Sequence, residues 1–267
     1  MFVVKVPGIN SGSKGNGCER AGNAVLDSLK EIHVNEQGKP VDARLLDLEE
    51  IHLDNNDLEV TNKLIHENAL EIFQEKQKTI FLGGDHSISF SLGKAFLEQC
   101  RNSGNEPCLI IFDSRPNCEI QKSDFPNNTN WLRNLVESGF PGEKILIVGA
   151  RALENQEIEF LNKSKIRNIN INQLMNSLDD TCDTIMEFSH GKELYLSLDM
   201  SIVDPAFAPA ATFSDSGGLS SRQMIYLIQR INKIKNLKAV DLVEINTERQ
   251  GKETTIALGA KIISELL

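Results

Sequence analysis

The strongest constraint on what this chain can fold into is a sustained alternation of short apolar runs with longer stretches of helical period. The runs are Phe2–Val6, Arg44–Leu48, Thr79–Leu82, Cys108–Phe112, Lys144–Val148, Leu194–Leu198 and Ala239–Val243. Ile, Leu and Val occupy both alternating faces of these runs. A strand reads that way when neither face meets water, as in a parallel sheet covered by helices on both sides. Segments of helical period over Glu19–Lys30, Leu58–Gln77, Ser87–Cys100, Trp131–Ser138, Asn172–Phe188, Ser221–Lys235 and Thr254–Leu267 supply the connections. The pattern predicts an α/β fold of three layers, α-β-α, around a mostly parallel sheet. No repeat, low-complexity tract or Pro/Gly-rich linker interrupts it, so residues 1–267 read as a single domain.

Charge narrows the function classes. A net charge of −10 and a pI near 5.1, without any Lys/Arg cluster, disfavour nucleic acid and anionic membrane surfaces as partners. No apolar run approaches the roughly 20 residues of a membrane span, and the start MFVVKVPG is too short in apolar residues for a signal peptide, so the expected location is cytoplasmic. The five cysteines lack CxxC spacing and read as reduced thiols rather than a disulfide framework, with Cys108 in the core.

Three of the predicted strands end in polar residues: GGDHS at Gly83–Ser87, Asp113-Ser114-Arg115-Pro116-Asn117, and Asp199-Met200-Ser201. Open α/β sheets place their sites at the C-terminal ends of strands, where parallel neighbours bring such tips together. Taken singly, each tip has a plainer reading. GGDHS makes a strand-to-helix turn, and a lone strand-end Asp is an ordinary polar residue. Taken together, one imidazole and two carboxylates on one rim form a donor set for Mn²⁺ or Zn²⁺. The glycine string Gly12–Gly17 lacks the GK[ST] ending of a phosphate loop and reads as a mobile loop at the mouth of such a site.

GGDHS, the strand ending at Asp113, the run SLDMSIVDPAFAP at Ser197–Pro209, the following Gly217–Leu219 and DLVEIN at Asp241–Asn246 resemble, in order and spacing, the signature segments of the ureohydrolases (arginase, agmatinase and formiminoglutamase). GCERAGNAVLDSL at Gly17–Leu29 resembles that family's first loop and helix. The resemblance implies an arginase/deacetylase-like fold with about eight strands. In active members it also implies a binuclear Mn²⁺ cluster that makes hydroxide for attack on a guanidino or formimino carbon.

Carried over one position at a time, the resemblance implies that His86, Asp113 and Asp199 stand at ligand positions unchanged. Asn117 stands where the family has an Asp ligand of the first ion, and an amide oxygen is the weaker donor. Arg115 and Ser201 stand at the two private ligand positions of the second ion, and neither is a ligand. The cofactor expectation is therefore no ion or one, Mn²⁺ or Zn²⁺, and not a two-metal cluster. The loop Pro126–Trp131 carries no histidine where the family keeps a proton shuttle. Glu244 matches the carboxylate used near the cationic end of the substrate, and reads equally as a strand-end Glu paired with a basic neighbour. Without a second ion, Asp113 and Asp199 need some cation between them. Arg115 is the candidate, against the alternative that it swings into solvent.

Two functions follow from these changes. One is a degenerate ureohydrolase that binds a small molecule without arginase or agmatinase activity. The other is a hydrolase of C–N bonds working with one ion at His86. The family's habit of forming trimers or hexamers implies a homo-oligomer.

Overall fold

A computed structural model describes residues 1–10, 15–120 and 124–267. Eight strands form one sheet: β1 (Phe2–Val6), β2 (Asp47–Glu50), β3 (Thr79–Gly83), β4 (Pro107–Phe112), β5 (Ile145–Ala150), β6 (Arg167–Asn170), β7 (Glu193–Asp199) and β8 (Leu237–Val243). Their order is β2-β1-β3-β8-β7-β4-β5-β6, and every pair is parallel. Alternating side chains feed two separate cores, as a period of two requires. Ile80, Leu82, Ile110, Phe112, Leu196 and Leu198 pack on one face. Phe81, Leu109, Ile111, Tyr195 and Val243 pack on the other.

Helices α1 (Ala21–Leu29), α6 (Ile171–Asn176), α7 (Leu178–Ser189), α8 (Ser221–Ile231) and α9 (Lys252–Leu266) bury their apolar stripes in the first core. The second core takes α2 (Leu58–Glu75), α3 (Ile88–Ser103), α4 (Trp131–Glu137) and α5 (Asn155–Lys163). Sequence-encoded caps start several of them. Asp57 accepts a hydrogen bond from Val60 N at 3.1 Å before α2, and Ser220 with Gln223 closes a capping box at α8. No helix among the described residues is long and apolar enough to cross a membrane. All five cysteines are free and buried, Cys108 fully so.

The three-layer parallel architecture agrees with the sequence pattern, with four local corrections. The strand expected at Arg44–Leu48 begins at Asp47, because Asp42 accepts a hydrogen bond from Arg44 N at 3.0 Å and curls Ala43–Leu45 into a 3-10 turn. That strand is also fully exposed along its length, since it forms the sheet edge. The opposite edge, β6 (RNIN), is polar and partly exposed and so has no apolar run to announce it. Helix α5 is short, with Phe160 and Leu161 as its buried apolar residues. The segment read as one helix over Asn172–Phe188 breaks at Ser177, whose extended backbone caps α7 through a 3.1 Å bond from Asp180 N.

The turn after β3 is where backbone sterics are tightest. Gly84 N bonds Val6 O at 2.9 Å and Asp85 N bonds Gly8 O at 3.1 Å. A Cβ at Gly84 would lie 1.9 Å from Gly8 O, a backbone atom that cannot rotate aside. Gly84→Ala is therefore expected to destabilise the fold by about 1–3 kcal/mol or more through overpacking, read as a lowered urea midpoint. An unchanged midpoint would show that the two backbones need not approach so closely.

Candidate functional site

The four central strands, β3, β8, β7 and β4, lie side by side and end at one rim. Their tips carry His86 three residues past β3, Glu244 just past β8, Asp199 as the last residue of β7 and Asp113 just past β4. The parallel register thus gathers residues 86, 113, 199 and 244 from distant parts of the chain. All four are fully or almost fully buried.

His86 Nδ1 lies 3.0 Å from Asp199 Oδ2 and 3.1 Å from Asp113 Oδ2. One ligand atom from each of the three residues falls within 4.8 Å of the other two, close enough to share one metal ion. Burial disfavours the imidazolium, but hydrogen bonds and charge from Asp113 and Asp199 hold the His86 pKa well above the usual value. Burial, with Asp199 nearby, pushes Asp113 up to about 6, while His86 opposes the shift. The remaining oxygens are also engaged. Asp199 Oδ1 accepts from Ser201 N at 2.7 Å, and Asp113 Oδ1 accepts from Arg115 N at 2.9 Å and Ser201 Oγ at 3.0 Å. Asn117, at φ 52°, donates its amide to Asp113 Oδ2 and lies 3.2 Å from His86 Nδ1.

The cation between Asp113 and Asp199 is therefore His86 and not Arg115. The Arg115 guanidinium turns away and forks onto Asp215, Nε to Oδ2 at 3.0 Å and one terminal nitrogen to Oδ1 at 3.1 Å. It lies over the Phe213 ring at 4.4 Å. The Ser114 hydroxyl lies 2.9 Å from both Asp215 Oδ2 and Ser201 Oγ. Burial alone would raise the Asp215 carboxyl, but Arg115 and Ser114 hold it below its ordinary value. Arg151 ties the same corner, donating to Ser201 O at 2.7 Å and Asp215 O at 2.6 Å. Nothing in the sequence paired Asp215 with Arg115, 100 positions away.

Glu244 occupies the left-handed region at φ 65°, a strained conformation for a residue with a Cβ. Its Oε1 accepts from His86 N at 2.8 Å and from the Asn128 amide at 3.2 Å. Its Oε2 is buried without a hydrogen-bond partner among the described residues. Burial, followed by the charges of Asp199 and Asp85, raises its pKa to about 8. No basic side chain pairs with Glu244 among the described residues, so the reading of it as half of an ion pair is not what the structure holds. Asn128 is buried at the site although the sequence offered only a loop position without a histidine. Cys18 from the first loop reaches the same corner, its Sγ 3.2 Å from Thr212 Oγ1. Residues 12–14 of the glycine string lie outside the described residues.

The family model for the arginase family matches residues 1–267. The chain is 26% identical to a formimidoylglutamase of Halalkalibacterium halodurans over 253 residues, covering 91% of this chain and 77% of that relative. It is 28% identical to an N(1)-aminopropylagmatine ureohydrolase of Thermus thermophilus over 197 residues, 72% of this chain and 63% of that one, somewhat under two thirds. Among solved structures, a formimidoylglutamase of Bacillus subtilis superposes with a TM-score of 0.91 at 20% identity, covering 99% of this chain and 85% of that one. A proclavaminate amidino hydrolase of Streptomyces clavuligerus gives 0.86 at 19% identity, with 99% and 89% covered. At these identities the structural likeness establishes the fold.

Removing His86 strips two buried carboxylates of their cation, whereas removing Arg115 breaks a pair in which the side chains are 33% and 23% exposed. In metal-free buffer His86→Ala is expected to cost roughly 3–5 kcal/mol, and Arg115→Ala about 1 kcal/mol or less. Urea melts giving the reverse order would return Arg115 to the central position. A second expectation concerns pH. A carboxyl raised from 4.5 to about 8 in the folded protein binds its proton more tightly there than in the unfolded chain. Its penalty is absent below about pH 4.5, grows as pH rises and is complete above about 8. Glu244→Gln should therefore match the parent at low pH and exceed it in stability at pH 8 and above, measured in EDTA. A stability gap independent of pH would remove the assignment.

Proposed function

We propose that this chain, which belongs to the arginase family, holds at most one divalent ion in its strand-tip site and acts as a small-molecule-binding member without arginase or agmatinase activity. The observation that carries this reading is what stands beside Asp113 and Asp199 on the Arg115 side. The hydroxyls of Ser114 and Ser201 lie there, with a guanidinium committed to Asp215. A second dication needs anionic or imidazole donors to offset its dehydration, and a fixed guanidinium nearby opposes it.

The donors do suit a single ion. His86 Nδ1, Asp113 Oδ2 and Asp199 Oδ2 would hold it, and turning the Asn117 amide about its terminal bond presents an oxygen to the same place. When bound, such an ion supplies Lewis-acid charge. Glu244 offers Oε2, buried and without a partner among the described residues, to an N–H of a guanidino, formimino or amide ligand, and Asn128 holds the other oxygen in position. Leaving that oxygen buried and unpaired is costly, so a ligand that donates to it gains more than a surface hydrogen bond would give. The same feature supports the second reading, a one-ion hydrolase of C–N bonds. The missing histidine in Pro126–Trp131 weighs against it, because positioned acid–base groups contribute on the order of 10²–10⁴-fold.

Purification with excess Mn²⁺ or Zn²⁺ followed by elemental analysis is expected to give no more than one ion per chain, and no urea from arginine or agmatine. Turnover on the order of 1–10³ s⁻¹ would overturn the binding reading. Asn117→Asp should tighten the single site. A second ion should appear in calorimetric titration only with Arg115→His and Ser201→Asp together, and two ions in the parent protein would contradict this.

A further inference from the structure

Behind His86, on the side away from the two carboxylates, runs a fully buried polar chain that the site chemistry does not yet use. His86 Nε2 lies 2.9 Å from Ser197 Oγ, and Ser197 donates to Asp241 Oδ1 at 2.8 Å. Asp241 sits within β8 at 0% exposure and begins the DLVE segment. It also accepts from Ser89 Oγ at 2.7 Å, from Leu198 N at 3.3 Å and from the Tyr195 hydroxyl.

A carboxylate has four acceptor positions, and here four donors fill them. Burying a carboxylate among Ser89, Ser197 and Tyr195 is costly unless all its positions are met. This arrangement fixes the direction of each hydroxyl. The single proton of Ser197 points at Asp241, so Ser197 can offer His86 only a lone pair. Nε2 must then bring the proton to the Nε2···Oγ contact. The reverse arrangement, with Ser197 donating to Nε2, would leave Asp241 Oδ1 with the 3.3 Å bond from Leu198 N alone.

We propose that Asp241 is a positioning residue: through the Ser197 hydroxyl it holds His86 with Nε2 as a donor, leaving Nδ1 as the ring atom that faces Asp113 and Asp199 as a ligand. The proposal rests on the reading of His86 as a cation ligand. It extends that reading to Ser197 and Asp241, 44 positions apart in the chain, which would act on the ion only through the ring. A carboxylate behind a ligating imidazole sets its tautomer and raises its basicity, and losing it typically costs 10–100-fold in metal affinity.

Two measurements test this. The first needs no metal: long-range ¹⁵N–¹H spectra of histidine-labelled protein, with His86 assigned by its loss in His86→Gln, should show Nε2 protonated and slow to exchange. A bare Nε2 in the parent protein overturns the proposal. The second is the Zn²⁺ dissociation constant by chelator competition for Ser197→Ala, Asp241→Asn and the pair, each checked for a native circular dichroism spectrum. Asp241→Asn should weaken binding about 10–100-fold, and the double variant should lose less than the product of the single losses, because both act through one hydroxyl. Losses that multiply, or an unchanged constant in Asp241→Asn, overturn it. If Asp241→Asn does not fold, the metal-free spectrum and the Ser197→Ala spectrum decide: as an imidazolium His86 keeps its Nε2 proton in Ser197→Ala but is expected to exchange it faster with solvent, and unchanged exchange overturns the proposal. A parent protein that shows the Nε2 proton but binds no Zn²⁺ keeps the positioning and removes the cation reading.

Discussion

Two carboxylates at the tips of adjacent buried strands cannot both be charged in a dry rim without a cation between them. Asp113 and Asp199 impose that condition here, and the imidazole of His86 meets it at 3.1 and 3.0 Å. The parallel sheet makes the condition unavoidable, since β7 and β4 are neighbours and end at the same height. Much of the local structure answers to it. Gly84 lets β3 turn tightly enough to deliver His86, Ser197 and Asp241 hold the ring from behind, and the amides of Arg115 and Ser201 satisfy the carboxylate oxygens that face away.

The same condition explains why the Arg115 side of the site is built as it is. An arginine next to a fully charged pair would compete with His86 for the carboxylates, yet Asp215, Ser114 and the Phe213 ring together give it a better-matched fork one loop away. The charge is thereby neutralised locally, and Ser201 completes the wall with a neutral hydroxyl. Glu244 stands apart from this balance, with a strained backbone, an oxygen unpaired among the described residues and a raised pKa. The ligand-binding role proposed for it rests on those three features.

What the sequence made legible followed physical scale. Strands with apolar faces on both sides were readable because burial on two faces leaves no polar positions, whereas β2 and β6, being edges, carry polar and exposed residues. The strand-tip residues His86, Asp113 and Asp199 were readable because each ends an apolar run. Asp215 and Asn128 were not, because they sit in loops whose approach to the site is set by tertiary packing. Arg115 shows the limit most clearly. Its charge and its place two residues after Asp113 made it the natural partner for the pair, but which carboxylate it reaches depends on a loop 100 residues further on.

In the proposed reading this rim accommodates a single cation and not a pair. Anomalous diffraction at the manganese edge, from crystals grown with excess Mn²⁺, addresses it directly. One peak is expected among His86 Nδ1, Asp113 Oδ2 and Asp199 Oδ2, with Arg115 still paired to Asp215. A second peak of comparable height between Asp113 and Ser201, with Arg115 displaced, would contradict it.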